Sequence, residues 1–292
     1  MNDIYCEKTV KKLLSMHGFK FSKSLGQNFL IDESIPKKIV SSAGIDKTCG
    51  VLEVGPGIGA LTVELSRAAG HVLAVELDRR LLPILRDTLV DAPNVEVVSG
   101  DILKLDIKKL INETMPDLRP YVCANLPYSI TTPALTAFIS AGVFDSINVM
   151  VQREVARRIC AKPGSPDYSS FSVYASYHTE PKTLFSVPPD CFMPRPKVWS
   201  SVISMKPHGK RLLEYNMEGT FFSVVRAAFG QRRKTLINAL CAAFGNTMSK
   251  MEIAQIVALC GLDPLTRGET LGIDDYARLA ERIRNAQKCE LT

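Results

Sequence analysis

The chain has 292 residues with 36 Lys or Arg, 30 Asp or Glu and a formal net charge of +6. At 23% charged and 46% hydrophobic residues it has ordinary globular composition, which excludes a mainly disordered chain. The length suits about two domains of ~150 residues and a full core without staples. No apolar run approaches the ~20 residues of a membrane span, and Met1 to Lys12 mixes acids with lysines and lacks an apolar core, so neither a membrane anchor nor a secretory signal is expected. Eight cysteines lie nineteen or more residues apart, and His17, His71, His178 and His208 are equally isolated. No metal site is therefore expected, and the cysteines read as buried thiols of a reducing cytoplasm.

From residue 50 the pattern alternates strand and helix. Val51 to Val54 reads as a buried strand, followed by a glycine turn and a helix to about Ala69. Val72 to Glu76 is a second strand and Arg79 to Leu89 a second helix, where Pro83 marks a late start or a kink. Val95 to Val98, Tyr121 to Ala124 and Ile147 to Gln152 are further strands, with a helix over Thr132 to Ser140. The strands are short and apolar on both faces, as central parallel strands are, so a doubly wound α/β sheet is expected. The style changes near residue 206. Lys206 to Gly219 reads as a linker, and Thr220 to Phe244, Lys250 to Leu259 and Asp274 to Gln287 read as helices. The expected domains are thus an α/β domain over 1–205 and a small all-α domain over 206–292. The latter holds 13 Lys or Arg against 9 Asp or Glu, the former 23 against 21.

The turn reads Glu53-Val54-Gly55-Pro56-Gly57-Ile58-Gly59-Ala60. Such glycines let the backbone turn sharply and a ligand approach the main chain, and Glu76, at the end of the next strand, can accept hydrogen bonds from both ribose hydroxyls of an adenosine. The same glycines satisfy the NAD pattern, and a purely structural turn is the third reading. Glu53 favours a cationic ligand over a pyrophosphate, hence S-adenosyl-L-methionine. Asp101, after the third strand, can accept from the adenine amine; alternatively it caps the following turn.

Asn125-Leu126-Pro127-Tyr128 follows the fourth strand, at the end where open α/β sheets bind ligands. An exocyclic adenine amine is a poor nucleophile. The Asn125 side-chain oxygen and the Leu126 carbonyl can accept its two N–H groups, bonds that strengthen as the nitrogen becomes tetrahedral. Pro127 fixes the turn, and Tyr128 can stack on the base. The alternative is an Asn-x-Pro turn that merely ends a strand.

With these residues in view, the chain resembles the small-subunit ribosomal RNA adenine N6,N6-dimethyltransferases (KsgA/RsmA type) over nearly its whole length. The resemblance rests on Ser24-Leu-Gly-Gln-Asn-Phe-Leu30, Leu52-Glu-Val-Gly-Pro-Gly-Ile-Gly59, Val75-Glu-Leu-Asp78, Gly100-Asp101, Asn125-Leu-Pro-Tyr128, Gln152-Arg-Glu-Val-Ala-Arg157 and Phe192-Met-Pro-Arg-Pro-Lys-Val-Trp-Ser200. It implies a Rossmann-like class I methyltransferase domain that uses S-adenosyl-L-methionine. It also implies Asn28 and Leu30 over the cofactor's methionine end, Gly55 near its carboxylate, Glu76 on the ribose and Asp101 on the adenine. Asn125 would meet the reacting amine and also contact the cofactor, and Phe192 would pack on the target adenine with Tyr128. The implied substrate is a pair of adjacent adenosines in the 3′-terminal hairpin loop of small-subunit (16S-type) rRNA, each methylated twice by a cytoplasmic monomer.

The rivals are a large-subunit rRNA dimethyltransferase of the macrolide-resistance type, an assembly factor whose binding outweighs its catalysis, and, behind these, a DNA adenine methyltransferase. Basic candidates for an RNA surface are Lys20, Lys23, Arg153, Arg157, Arg158, Lys162, Arg195, Lys197, Arg226, Arg232, Arg233 and Lys234, the last four around Phe229. Trp199 reads as core or as a plug between domains rather than as a base-stacking platform. Lys162 to Pro166 is a loop whose closure over substrate the sequence leaves open.

Overall fold

The computed structural model describes residues 4–22, 26–209 and 212–289, so Lys23 and the Ser24 and Leu25 of the N-terminal motif lie outside the described residues. Two compact units appear, Met1–Ala156 with Lys182–Pro207, and Arg157–Pro181 with His208–Thr292. The chain passes between the units at 156/157, 181/182 and 207/208, so the single boundary expected at 205/206 misses two crossings. Tyr168, Val173 and Tyr177 bury themselves in the helical core of the second unit, and no shift of composition marks that insertion.

In the first unit, α1 (Glu7–Met16), β1 (Phe29–Leu30) and α2 (Ser34–Ala43) precede the alternating region. There follow β2 (Cys49–Val54), α3 (Ala60–Ala68), β3 (His71–Glu76), α4 (Leu82–Thr88), β4 (Val95–Ser99), α5 (Ile107–Thr114), β5 (Arg119–Asn125), α6 (Thr131–Ala141) and β6 (Ser146–Gln152). Pro83 acts as a late start: a 3-10 turn over Arg79–Leu81 leads into α4, whose first turn holds the proline, where its missing N–H is harmless. After α7 (Arg153–Ile159) and α8 (Ser170–His178) come β7 (Thr179–Val187), β8 (Phe192–Met193) and β9 (Ser200–Pro207).

Seven strands form one sheet in the order β4-β3-β2-β5-β6-β9-β7, and β1 pairs separately with β8. The first five are parallel, while β9 runs antiparallel to β6. β2 is buried at all six positions, as a central strand between two helical layers must be. β4 departs from the expected two-sided burial. It is half-exposed because it forms the sheet edge.

The second unit contains α8, α9 (Tyr215–Gly230), α10 (Leu236–Phe244), α11 (Lys250–Leu259) and α12 (Ile273–Cys289). The single helix expected over Thr220 to Phe244 is two, broken between Gly230 and Leu236. Tyr276 is wholly buried among these helices, and its hydroxyl donates to the Gly268 carbonyl at 2.7 Å. Among the described residues no helix is long and apolar enough to cross a membrane, and no cluster of three metal-ligating side chains occurs. The seven cysteines with described side chains form no disulfide; four are buried, while Cys6 is exposed.

Candidate active site

The strand order reverses between β2 and β5, which opens a crevice at their carboxyl ends. A cleft lies there. It brings together residues from six separate stretches of sequence: Asn28; Gly55; Glu76; Asp101; Asn125 to Tyr128; and Phe192. Leu30 lines instead a small adjoining recess, shared with Asn28, Glu53, Gly55 and Asn125.

The glycine turn is shaped by its backbone. Gly55 and Gly57 have φ of 69° and 63°, left-handed values that glycine adopts without strain, and a Cβ on Gly57 would stand 3.0 Å from the Phe29 ring. Glu76 braces the turn: its Oε2 accepts from Gly57 N at 3.3 Å and its Oε1 from Asp78 N at 2.8 Å. Burial raises the Glu76 pKa above the usual carboxylate value. Asp78 is quoted within a motif above but given no role there. Its Oδ2 accepts from Gln27 Nε2 at 2.8 Å and from Arg80 at 2.7 Å, which ties the segment carrying Asn28 to the ribose-side acid. Gln27 and Asp78 are 51 residues apart, a pairing no local pattern reveals. The capping reading of Asp101 is seen directly: its Oδ1 caps the next turn by accepting from Leu103 N at 3.1 Å, and the residue also faces the cleft.

Glu53 corrects the electrostatic expectation. It is only 2% exposed, its Oε2 has no hydrogen-bond partner, and burial, aided by nearby Glu76, pushes its pKa from 4.5 to about 8. Without a ligand the carboxyl is therefore mostly neutral at pH 7 and no standing anion. Its charge appears when a cation enters the recess and pulls the pKa down. An orphaned buried acid beside a glycine turn suits the α-amino group or sulfonium of S-adenosyl-L-methionine. Because folding favours the protonated acid, its stabilising effect is complete below about 4.5 and is lost as pH rises towards about 8. Thermal unfolding between pH 5 and 8 should show that decline, worth up to about 4 kcal/mol. Glu53→Gln should flatten it, and an unchanged slope would contradict the assignment.

On the acceptor side, Asn125 Nδ2 donates to the Asn28 carbonyl at 3.4 Å, a long hydrogen bond that still orients the amide and leaves Oδ1 to accept from a ligand. Leu126 N donates to the Met150 carbonyl at 3.1 Å and its side chain is buried, which fixes the peptide that carries the expected second acceptor. Pro127 (φ −55°, ψ 132°) lies against Gly55, so the acceptor turn and the cofactor turn touch. The Tyr128 hydroxyl lies 3.0 Å from Ser200 Oγ, and Ser200 is wholly buried at the start of β9. Sequence reasoning quoted Ser200 within a motif but gave it no role. If this contact holds the Tyr128 ring, Ser200→Ala and Tyr128→Phe should each lower kcat about 5-fold, the double variant no further, and cofactor affinity should not change. Additive losses would show that the two hydroxyls act separately. Phe192 is 3% exposed and pairs through its backbone with Leu30, so its ring is part of the cleft wall rather than an exposed platform.

Two expectations outside the cleft change. Trp199 is 42% exposed and not core. Phe229 packs on Tyr168 and Tyr276 and so belongs to the helical core. Among the basic candidates, Arg157, Arg195 and Arg232 hold ion pairs with Asp167, Asp190 and Glu269. Such exposed pairs are weak enough to exchange for phosphate contacts. The loop from Lys162 is pinned, since Gly164 N donates to the Glu269 carbonyl and Arg232 reaches the Pro166 carbonyl.

The reversed strand order, the antiparallel β9 and the acid after the glycine turn are those of the class I methyltransferases that use S-adenosyl-L-methionine. A model of the ribosomal RNA adenine dimethylase family matches residues 18–283, and the chain belongs to that family. Relatives include the Ribosomal RNA small subunit methyltransferase A of Alkaliphilus oremlandii (strain OhILAs), 44% identical over 97% of this chain and 99% of that protein. The protein of the same name from Streptococcus equi subsp. zooepidemicus (strain MGCS10565) is 46% identical over 94% of this chain and 96% of its own. Among solved structures, the 23S rRNA methyltransferase ErmE is 25% identical with a TM-score of 0.70, over 88% of this chain and 99% of that one. A dimethyladenosine transferase from Plasmodium falciparum, at 23% identity and a TM-score of 0.76 over 88% and 98%, shares the fold.

Proposed function

We propose that this protein dimethylates the N6 amines of two adjacent adenosines in the 3′-terminal hairpin loop of small-subunit, 16S-type rRNA during ribosome biogenesis. The observation that carries the reading is the Asn125 amide, oriented by Asn28 and set beside the cofactor turn. Bound S-adenosyl-L-methionine supplies an electrophilic methyl group on its sulfonium. The chain supplies the rest. Asn125 Oδ1 and the Leu126 carbonyl accept the two N–H groups of the target amine and hold its lone pair towards the methyl. These bonds strengthen as positive charge grows on the nitrogen. Tyr128 holds the base against the cleft, with Phe192 as the adjoining wall. The charged product amine is acidic and loses its proton to water, so no general base is needed before attack. One N–H survives the first transfer, which leaves a second attack open. Asn28, Leu30, Gly55, Glu76 and Asp101 hold the cofactor, with Glu53 answering its positive charge.

An unstacked adenine is cheapest to obtain in a loop. The helical unit, with the exposed Arg226, Arg233 and Lys234, supports a role in holding the surrounding RNA. The protein would work as a monomer in the cytoplasm, on the small subunits that its relatives are named for. The fold alone does not separate small- from large-subunit substrates, because ErmE shares it. The 44–46% identity to small-subunit methyltransferases favours the former. Primer extension through both rRNAs of cells with and without the gene tests this. The stop should vanish from the small-subunit rRNA alone, and loss from the large-subunit rRNA would point to the rival.

A further inference from the structure

Trp199 is the single tryptophan of the chain, and at 42% exposed it is spread on the surface beside the equally exposed Val198. Its position is defined by the sheet. Asn125 at the end of β5 is level with Met150 of β6, and β6 ends two residues later at Gln152, opposite Ser200. One step further, Arg153 N donates to the Trp199 carbonyl at 2.9 Å, and the Arg153 guanidinium lies 5.4 Å from the centre of the indole ring. Trp199 therefore stands at the cleft end of the sheet, and the next residue, Ser200, touches Tyr128. Trp199 thus presents an exposed indole, braced by a cation, at the end of the sheet where the cleft lies.

We propose that Trp199 and Arg153 form a stacking platform for the unpaired nucleobase that neighbours the adenine held at Tyr128. The inference rests on the RNA-methylating function above. When the target base leaves its stack, its neighbour loses a stacking partner; the indole face replaces it, and the guanidinium adds positive charge for the adjoining phosphate. Stacking of this kind tolerates any base, so the platform would hold the loop without reading its sequence.

Steady-state methylation of unmethylated small subunits tests the platform. Trp199→Ala should raise KM for the subunits about 10-fold. The loss should fall on KM rather than kcat, with the Kd for S-adenosyl-L-methionine unchanged. Trp199→Phe should recover much of it, and Arg153→Ala should raise KM less. Because no other tryptophan is present, emission gives a second reading: a synthetic RNA hairpin with the 3′-terminal loop, shown to be bound by anisotropy, should quench it, also in Asn125→Ala. An unchanged KM in Trp199→Ala, or a bound hairpin with no quenching, overturns the platform while leaving the methylation intact. Absence of any transfer by the wild-type protein would instead overturn the function on which it rests.

Discussion

Asn125→Ala is expected to lower kcat for methyl transfer by about 10²–10³-fold, the loss typical when one preorganised partner of a developing charge is removed. The physical reason is specific to the transition state. In the ground state the adenine amine is neutral and nearly planar, so losing one acceptor costs little binding. As the nitrogen forms its new bond, its hydrogens become acidic and the missing oxygen is felt in full. KM for the RNA should therefore change little. Cofactor affinity should fall less than about 10-fold, because Asn125 borders the cofactor recess without bracing it. Asn125→Asp should be intermediate: it keeps acceptor oxygens but sets a carboxylate against the Asn28 carbonyl to which the amide now donates. Single-turnover transfer with radiolabelled cofactor measures both variants. A near-normal rate for Asn125→Ala would show that the tetrapeptide is only a turn.

Glu76→Ala is expected to weaken cofactor binding about 100-fold, the worth of two charge-assisted hydrogen bonds at roughly 1.5 kcal/mol each. The side chain has two further tasks, because it also accepts from Gly57 N and Asp78 N. Its removal therefore loosens the glycine turn as well as the ribose contact. Glu76→Gln keeps the shape but replaces one acceptor oxygen with a donor, which would face one of those N–H groups or the ribose. An affinity loss of about 10-fold is expected for it. Calorimetric titration with S-adenosyl-L-homocysteine reads both without turnover. An unaltered Kd in Glu76→Ala would contradict the ribose assignment.

Much of the sheet could be read from sequence because β2, β3, β5 and β6 are short apolar runs between turn residues. The strands that escaped did so for physical reasons. β9 is a buried interior strand, yet three of its buried residues are Ser200, Ser201 and Ser204, so its hydrophobic signal is diluted. β7 is an edge strand that carries Pro181 and Lys182 and is largely exposed. The glycine turn and Asn125 to Tyr128 were legible because each chemical role is carried by neighbouring residues. The contacts that position them are not local. Tyr128 meets Ser200 across 72 residues, and Gln27 meets Asp78 across 51. Glu53 was recognised for its charge, but its burial, which decides when that charge exists, depends on the packing of the whole sheet.

The central claim is that an amide, a main-chain carbonyl and an aromatic ring, placed beside the cofactor turn, make an rRNA adenine amine accept methyl groups. Transfer of tritiated methyl from S-adenosyl-L-methionine to unmethylated small subunits, followed by nucleoside analysis, measures it most directly. Label is expected in N6,N6-dimethyladenosine, appearing about 10²–10³-fold more slowly with Asn125→Ala. Unlabelled RNA with the wild-type protein, or label in any nucleoside other than N6-methylated adenosine, would contradict it.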